Sequence, residues 1–222
     1  SLYKSPMDIS WINEVSLGFW IAVTLACALG AMSPGPSLAV VVNHTLAHGR
    51  SAGCYAAISH GVGVGIYALI TVFGLAVVIQ ENQEIFDIAQ LLGCLFLLLM
   101  ATKILFSSPN PIDTGLPVAS KSSSLKAIVD GFLIALINPK ILLFFTALFS
   151  QFVRLESDLW EKLTLALIAS GVDAIWYLLV ALTLSHFQSI VRYQRISGVI
   201  DKVFAVVLIV IASNFIFQIT QG

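Results

Sequence analysis

The sequence predicts an all-α integral membrane protein with six transmembrane helices, arranged as two inverted repeats of three helices. The first observation is composition: of 222 residues, 58% are hydrophobic and 10% are charged, whereas about 25% of the residues of an average soluble domain are charged. Mean hydropathy is +0.96. The second observation is a set of six apolar stretches that are long enough to cross a bilayer. The third is a pair of similar helix breaks, one in each half of the chain.

The six apolar stretches divide the chain into two halves. They cover residues 17–46, 55–79, 88–106, 126–152, 159–184 and 199–219. Residues 107–125 contain several prolines, serines and a glycine, and we expect them to form a flexible linker. The linker separates a first repeat at 17–106 from a second repeat at 126–219, and the whole chain is one transmembrane domain.

Basic residues are distributed unequally between the two sides of the predicted membrane domain. The connections after the first, third and fifth spans hold Arg50, Lys103, Lys121, Lys126, Arg192, Arg195 and Lys202. The termini and the other connections hold only Lys4, Arg154 and Lys162. Because Lys and Arg are enriched in cytoplasmic loops, we expect the linker in the cytoplasm and both termini outside it.

The first and fourth spans are each interrupted near the middle by proline. The interrupting residues are Ser33, Pro34, Gly35 and Pro36 in the first span, and Asn138, Pro139 and Lys140 in the fourth. Proline removes a backbone donor and clashes with the preceding helical turn, and exposed backbone at this depth requires protein or a water-filled cavity. A half-helix after each break would direct its positive end at the break. We expect a site for a carboxylate there; the alternative is that the prolines only kink packing helices.

The two halves match in the order of their unusual residues. Residues 33–35 correspond to 138–140, residues 61–67 correspond to 171–177, and Gly93 corresponds to Gly198. Three spans per half is an odd number, so the second copy enters the membrane from the opposite side. Transporters with such inverted repeats carry their binding site near the midplane, between discontinuous helices.

Polar side chains in the spans are candidates for binding and proton transfer. Asp173 is the only carboxylate that we expect deep in a span, and Lys140 is its expected partner, because isolated charges at this depth are paired or neutralised. Asp173 either titrates during transport, holds a substrate ammonium, or forms a permanent ion pair. His60 either carries protons or is a hydrogen-bonded packing residue. Tyr67 and Tyr177 occupy matching positions and either line a cavity or pack.

The composition excludes some function classes and leaves others open. A net charge of −1 does not indicate nucleic-acid binding, and the isolated cysteines form no metal-binding or disulfide pattern, so we expect no metal site and no cofactor. An intramembrane aspartyl protease would need Asp130 and Asp173 to face each other, although Asp130 lies near the cytoplasmic end of its span. A thiol-redox transporter would need Cys27 and Cys94 to approach. An exporter of metal ions stays open, despite few suitable ligands.

Helix-packing signals are concentrated in the second span. Gly61, Gly63 and Gly65 give it a small-residue face, which allows neighbouring helices to approach closely.

Taken together, these motifs resemble the LysE/RhtB superfamily of amino-acid exporters. The similarity covers nearly the whole chain from Leu17 onward. It rests on Pro34-Gly35-Pro36, the turn at 49–53, Asn138-Pro139-Lys140 with Phe144-Phe145, Gln151-Phe152, and Asp173 with Trp176-Tyr177. After Gly93 the third span departs from the usual small-aromatic pattern.

The resemblance implies a bacterial inner-membrane protein that exports amino acids or close derivatives, driven by the proton gradient, and it allows a homodimer. It also implies that the residues of the two breaks and Asp173 belong to the central site. One deep acid beside one deep base leaves no spare negative charge for a cationic side chain. We therefore favour neutral substrates such as homoserine, threonine or leucine.

Overall fold

The computed structural model describes residues 17–106, 124–155, 157–183 and 187–221, with side chains except at 187–195 and 218–221. The regular structure in these ranges is entirely helical. The helices are α1 (Leu17–Met32), α2 (Pro36–His48), α3 (Arg50–Glu81), α4 (Gln83–Phe106), α5 (Ser124–Ile137), α6 (Pro139–Phe152), α7 (Leu159–Thr183) and α8 (Phe187–Gln221). Most of the expected linker, at 107–123, lies outside the described residues.

Six membrane spans can be built from these helices. Helices α3, α4 and α7 and the segment Ile196–Phe217 of α8 are each long and apolar enough to cross a bilayer. The pairs α1–α2 and α5–α6 pass the same test together, but they are bent by 58° and 52°. The predicted fold class, an all-helical multi-pass membrane protein whose first and fourth spans are broken, is confirmed.

Three helices begin five or more residues earlier than the sequence predicted; one of them is α4, which begins at Gln83 and not near residue 88. α3 begins at Arg50, directly after Gly49, whose φ of 86° is a conformation that residues with a side chain rarely adopt. α8 begins at Phe187, because no proline interrupts the polar residues that precede the last apolar stretch. As a result, Lys202 lies within a helix and not in a connection.

Proline determines where both half-helices begin. Pro36 and Pro139 are the first residues of α2 and α6, a position where the missing N–H has no intrahelical partner to lose. The preceding residues, Gly35 and Asn138, have extended backbone conformations. The two helix starts therefore match as Pro36 with Pro139, which is two residues away from the sequence match of Pro34 with Pro139.

Helix α3 is the centre of the packing, with α7 and α5 lying along it. A Cβ atom at Gly61 would lie 2.5 Å from Ala174 Cβ on α7, and one at Gly63 would lie 2.7 Å from Ala135 Cβ on α5. These distances leave no room for a side chain, so the predicted small-residue face is confirmed as a packing surface.

The outer faces of the spans are apolar, as the membrane environment requires. Exposed side chains include Ile70 on α3 and Leu167 on α7, whereas polar residues such as His60, Asn138 and Asp173 are buried. The polar residues at the two breaks lie between two apolar clusters, one containing Phe144 and Phe149 and the other containing Leu38 and Tyr177. These buried polar residues are the candidates for a functional site.

Candidate functional site

The two helix breaks meet directly. Asn138 Nδ2 donates a hydrogen bond of 2.9 Å to Ser37 Oγ on the other broken span. Lys140 Nζ donates one of 3.0 Å to the backbone carbonyl of Ser33. This carbonyl lies just after the end of α1, where helical carbonyls have no partner in their own helix. The polar residues of the second break therefore satisfy groups that are left open by the first.

A cavity lies between the breaks, and its atom-free space of about 430 Å³ includes the open space at its mouth. Most of its lining comes from α1, α2, α6 and α7 and from the residues of the two breaks. The lining residues are Cys27, Gly30, Ala31, Ser33, Gly35, Ser37, Asn138, Lys140, Ile141, Phe144, Phe145, Asp173 and Tyr177.

The two half-helix starts are chemically different. At α6, Asn138 Oδ1 accepts a hydrogen bond from the backbone N–H of Lys140, a side-chain cap. At α2, the residue in the capping position is Gly35, and no side chain caps the helix. The sequence suggested two open positive helix ends, whereas the structure has one open end, at α2. The Lys140 ammonium lies beside it, 3.8 Å from the position of a Cβ atom on Gly35.

Asp173 pairs with His60 and not with Lys140, so the predicted pairing is wrong. A hydrogen bond of 2.6 Å joins His60 Nδ1 and Asp173 Oδ2, and both side chains are buried. The reason is the close approach of α3 and α7 at Gly61 and Ala174, which brings the neighbouring His60 and Asp173 together. Lys140 instead donates a hydrogen bond to the carbonyl of Ser33, at the break of the first span.

His60 lies behind Asp173, outside the lining of the cavity. Its ring is fully buried and meets the ring of Tyr177 edge-on at 4.8 Å. Within the part of the chain that the structure describes, His60 Nε2 has no hydrogen-bond partner. Asp173 and Tyr177 thus separate a buried imidazole from the cavity.

The structure distributes the sequence-predicted site residues over three locations. Ser33, Gly35, Asn138, Lys140, Asp173 and Tyr177 line the cavity, and Pro34, Pro36 and Pro139 shape the breaks beside it. His60 lies behind Asp173. Tyr67 lies away from the cavity: its hydroxyl contacts the Leu142 carbonyl at 2.8 Å and Thr146 Oγ1 at 2.9 Å on α6. The matching positions of Tyr67 and Tyr177 therefore do not place both phenols at one cavity.

One carboxylate at the site was missed from the sequence. Ser33 Oγ donates a hydrogen bond of 2.8 Å to Asp201 Oδ1, and Asp201 lies within the spanning segment of α8. The expectation that Asp173 is the only deep carboxylate is therefore wrong. The available signal was the absence of proline between the last apolar stretch and the polar residues before it.

The residues needed for the alternative chemistries have other partners. Asp130 Oδ2 is 3.0 Å from His44 Nε2, so it does not face Asp173. The three cysteines are free thiols, with Cys94 Sγ donating to Gln151 Oε1 at 3.1 Å and Cys27 lining the cavity. Among the described residues, no group of three or more His, Cys, Asp or Glu side chains could hold a metal ion.

Comparison with known proteins identifies the family. The model of the LysE type translocator family matches residues 28–219. Similar proteins include "Uncharacterized membrane protein YahN" of Escherichia coli, 26% identical over 95% of this chain and 96% of that protein. "Leucine efflux protein" of Enterobacter sp. is 25% identical over 81% of this chain and 83% of that protein. "Uncharacterized membrane protein YrhP" of Bacillus subtilis is 24% identical over 82% of this chain and 90% of that protein. No solved structure matches the chain significantly.

The family match covers both helix breaks, most of the residues that line the cavity and the carboxylates on α7 and α8. A family of translocators moves a small-molecule substrate and does not transform it, so the protein is a transporter and not an enzyme. The chain belongs to the LysE type translocator family.

Proposed function

We propose that the protein exports amino acids across the bacterial inner membrane and that protons drive the export. Two observations support transport of this kind: membership of a translocator family, and similarity to proteins named leucine efflux protein. The observation that carries the assignment to amino acids is the position of the Lys140 ammonium, in a cavity between two broken spans and beside the open start of α2.

The carboxylate of the substrate binds Lys140 and the open end of α2. The first-turn amides of an uncapped helix favour an anion, and the helix dipole adds to this preference. Lys140 supplies a full positive charge at the same place. The ammonium donates to the Ser33 carbonyl, and the substrate carboxylate replaces this weaker acceptor.

The side chain of the substrate is uncharged. Phe144, Phe145 and Ile141 form one wall of the cavity, and none of them could pair with a charged group. Asp173, the carboxylate in the lining, is already bonded to His60. The reason for an uncharged side chain is therefore the pairing of Asp173 with His60, and not the presence of a single deep acid, which the sequence suggested.

The Asp173–His60 pair carries the proton. Asp173 lines the cavity and His60 is buried behind it, so the pair joins the substrate pocket to a protonatable group outside it. Adding a proton changes the net charge of the pair by one. If the affinity for the substrate depends on the charge of the pair, transport of the substrate is coupled to protonation.

The two halves form an inverted repeat, with residues 17–106 as the first copy and residues 126–219 as the second. The matching half-helix starts at Pro36 and Pro139 support this organisation, as does the meeting of the breaks in the centre. Both termini lie outside the cytoplasm, as the distribution of Lys and Arg suggests. Rocking of one half against the other then opens the cavity to each side in turn.

Transport by purified protein in proteoliposomes tests this function. The vesicles are loaded with radiolabelled leucine, threonine, homoserine, lysine or glutamate, and efflux is measured with and without a gradient that is acidic outside. We expect efflux of the neutral amino acids, stimulated by the gradient, and little efflux of lysine or glutamate. The absence of efflux for every amino acid, with no thermal stabilisation by any of them, would overturn the proposal.

A further inference from the structure

A second carboxylate faces the helix break from α8. Asp201 Oδ1 accepts a hydrogen bond of 2.8 Å from Ser33 Oγ, and its side chain is only half-buried. The bond crosses from the last span to the first, and it places a carboxylate at the break of the first span, next to Ser33, which lines the cavity. Acidic residues at this depth are costly unless they face a cavity or a partner charge.

Ser33 connects this carboxylate to the ammonium of Lys140. Its hydroxyl donates to Asp201, and its carbonyl accepts from Lys140 Nζ at 3.0 Å. A negative and a positive group are therefore held on either side of one residue, and that residue lines the cavity.

The two carboxylates at the site are in different situations. Asp173 has a direct, fully buried partner in His60 at 2.6 Å. Among the described residues, Asp201 has a hydrogen bond to a neutral hydroxyl, and the Lys140 ammonium, bound to the carbonyl of the same serine, balances its charge. A substrate carboxylate that occupies Lys140 removes this balance, and Asp201 is then left facing the site with a negative charge that needs a cation.

We infer that Asp201 and Ser33 form the ammonium-binding half of a zwitterion site whose carboxylate-binding half is Lys140 with the open end of α2. This inference rests on the proposed function and adds to it the side chain that recognises the amino group of the substrate. A carboxylic acid without the amine leaves Asp201 unbalanced, and an amine without the carboxylate is repelled by Lys140. Both partial ligands bind less well than the amino acid.

The test compares three ligands of nearly the same shape. These are L-leucine, 4-methylpentanoate, which lacks the amino group, and 3-methylbutylamine, which lacks the carboxylate. Affinity is measured for the full-length protein in lipid nanodiscs, by the rise of the unfolding temperature with ligand concentration. For the unchanged protein we expect leucine to bind at least about tenfold more tightly than either partial ligand, since charged hydrogen bonds each contribute roughly 1.5–3 kcal/mol.

Asp201→Asn keeps the size of the side chain and removes its charge. We expect this variant to bind leucine roughly tenfold or more weakly and to lose most of its preference for leucine over 4-methylpentanoate. Lys202→Gln is the matched control, because Lys202 is the next residue of α8 and its side chain is exposed. The control is expected to keep both the affinity and the preference.

The outcomes separate the two proposals. An unchanged protein that responds to no amino acid overturns the proposed function and this inference with it. A normal response combined with full preference for leucine in Asp201→Asn overturns this inference alone. Should Asp201→Asn fail to fold, Asp201→Glu serves in its place: it keeps the charge on a longer side chain, so weaker leucine binding with a retained preference supports the inference, and a lost preference overturns it.

Discussion

Asn138 Nδ2 lies 2.9 Å from Ser37 Oγ, and this hydrogen bond joins the two broken spans at their breaks. The same side chain caps α6 through its other atom, Oδ1, which accepts the backbone N–H of Lys140 at 3.0 Å. One buried amide therefore fixes the start of a half-helix and its position against the opposite half of the protein.

Asn138→Ala is expected to destabilise the protein by about 2–4 kcal/mol. The loss of a helix cap costs about 1 kcal/mol, and a buried hydroxyl left without its partner costs about 1–3 kcal/mol more. Asn82→Ala is the matched control, because Asn82 Oδ1 caps the start of α4 in an exposed position and has only the cap to lose. Chemical denaturation in detergent measures both; equal losses for the two variants would contradict the role of the Ser37 bond.

Lys140→Met is expected to weaken amino-acid binding roughly 10- to 100-fold, because a charged hydrogen bond to the substrate carboxylate is lost. The apolar side chain fills a similar volume, so the fold is retained. Lys126→Met removes an exposed charge at the start of α5 and is expected to leave binding unchanged. Titration of the thermal shift with leucine checks the prediction, and unchanged affinity in Lys140→Met would remove Lys140 from the site.

Asp173→Asn is expected to separate transport from the proton gradient. The amide preserves the shape of the carboxyl group and its contact with His60, but it can no longer gain or lose a proton. We expect a gradient that is acidic outside to stop stimulating leucine efflux, while exchange of internal for external leucine continues.

Asp130→Asn is the control for this experiment, because Asp130 is also paired with a histidine, at 3.0 Å from His44, but does not line the cavity. It is expected to keep the stimulation by the gradient. Full gradient-driven efflux by Asp173→Asn would show that another group carries the proton.

Gly61→Ala is expected to destabilise the contact between α3 and α7. The new Cβ atom would lie 2.5 Å from Ala174 Cβ and 3.1 Å from its Cα atom, so the helices must separate. The cost of overpacking is about 1–3 kcal/mol. Because His60 is the adjacent residue, we also expect weaker coupling to the proton gradient.

Gly74→Ala on the same helix is the control for Gly61→Ala, since no atom lies within 4 Å of the position that its new methyl group would take. It is expected to be neutral or stabilising by up to about 1 kcal/mol, because alanine favours the helix. Equal unfolding temperatures for the two variants would contradict the packing argument.

The fold class and the breaks were predictable because they depend on local chemistry. Apolar length predicts a span, and proline determines where Pro36 and Pro139 begin their half-helices. The glycines of α3 predicted close packing for the same reason: the absence of a side chain acts locally, whichever helix is the neighbour.

Pairing between helices was less predictable, because it depends on helix rotation and depth. A difference of a few residues along α3 decides whether a side chain meets α7 or α6, and so His60 meets Asp173 while Tyr67 meets Thr146. Asp201 was missed because its depth depends on where α8 begins, and neither glycine nor proline marks that start.

The difference between the two half-helix starts has a consequence for how a cargo is carried. The start of α6 is already occupied by its own asparagine, so a bound carboxylate gains backbone contacts from one half of the protein only. The second half contacts the substrate through Lys140. Its long, flexible side chain keeps this contact while the two halves move against each other by several ångströms. The substrate therefore stays bound to the first half when the second half tilts away from it.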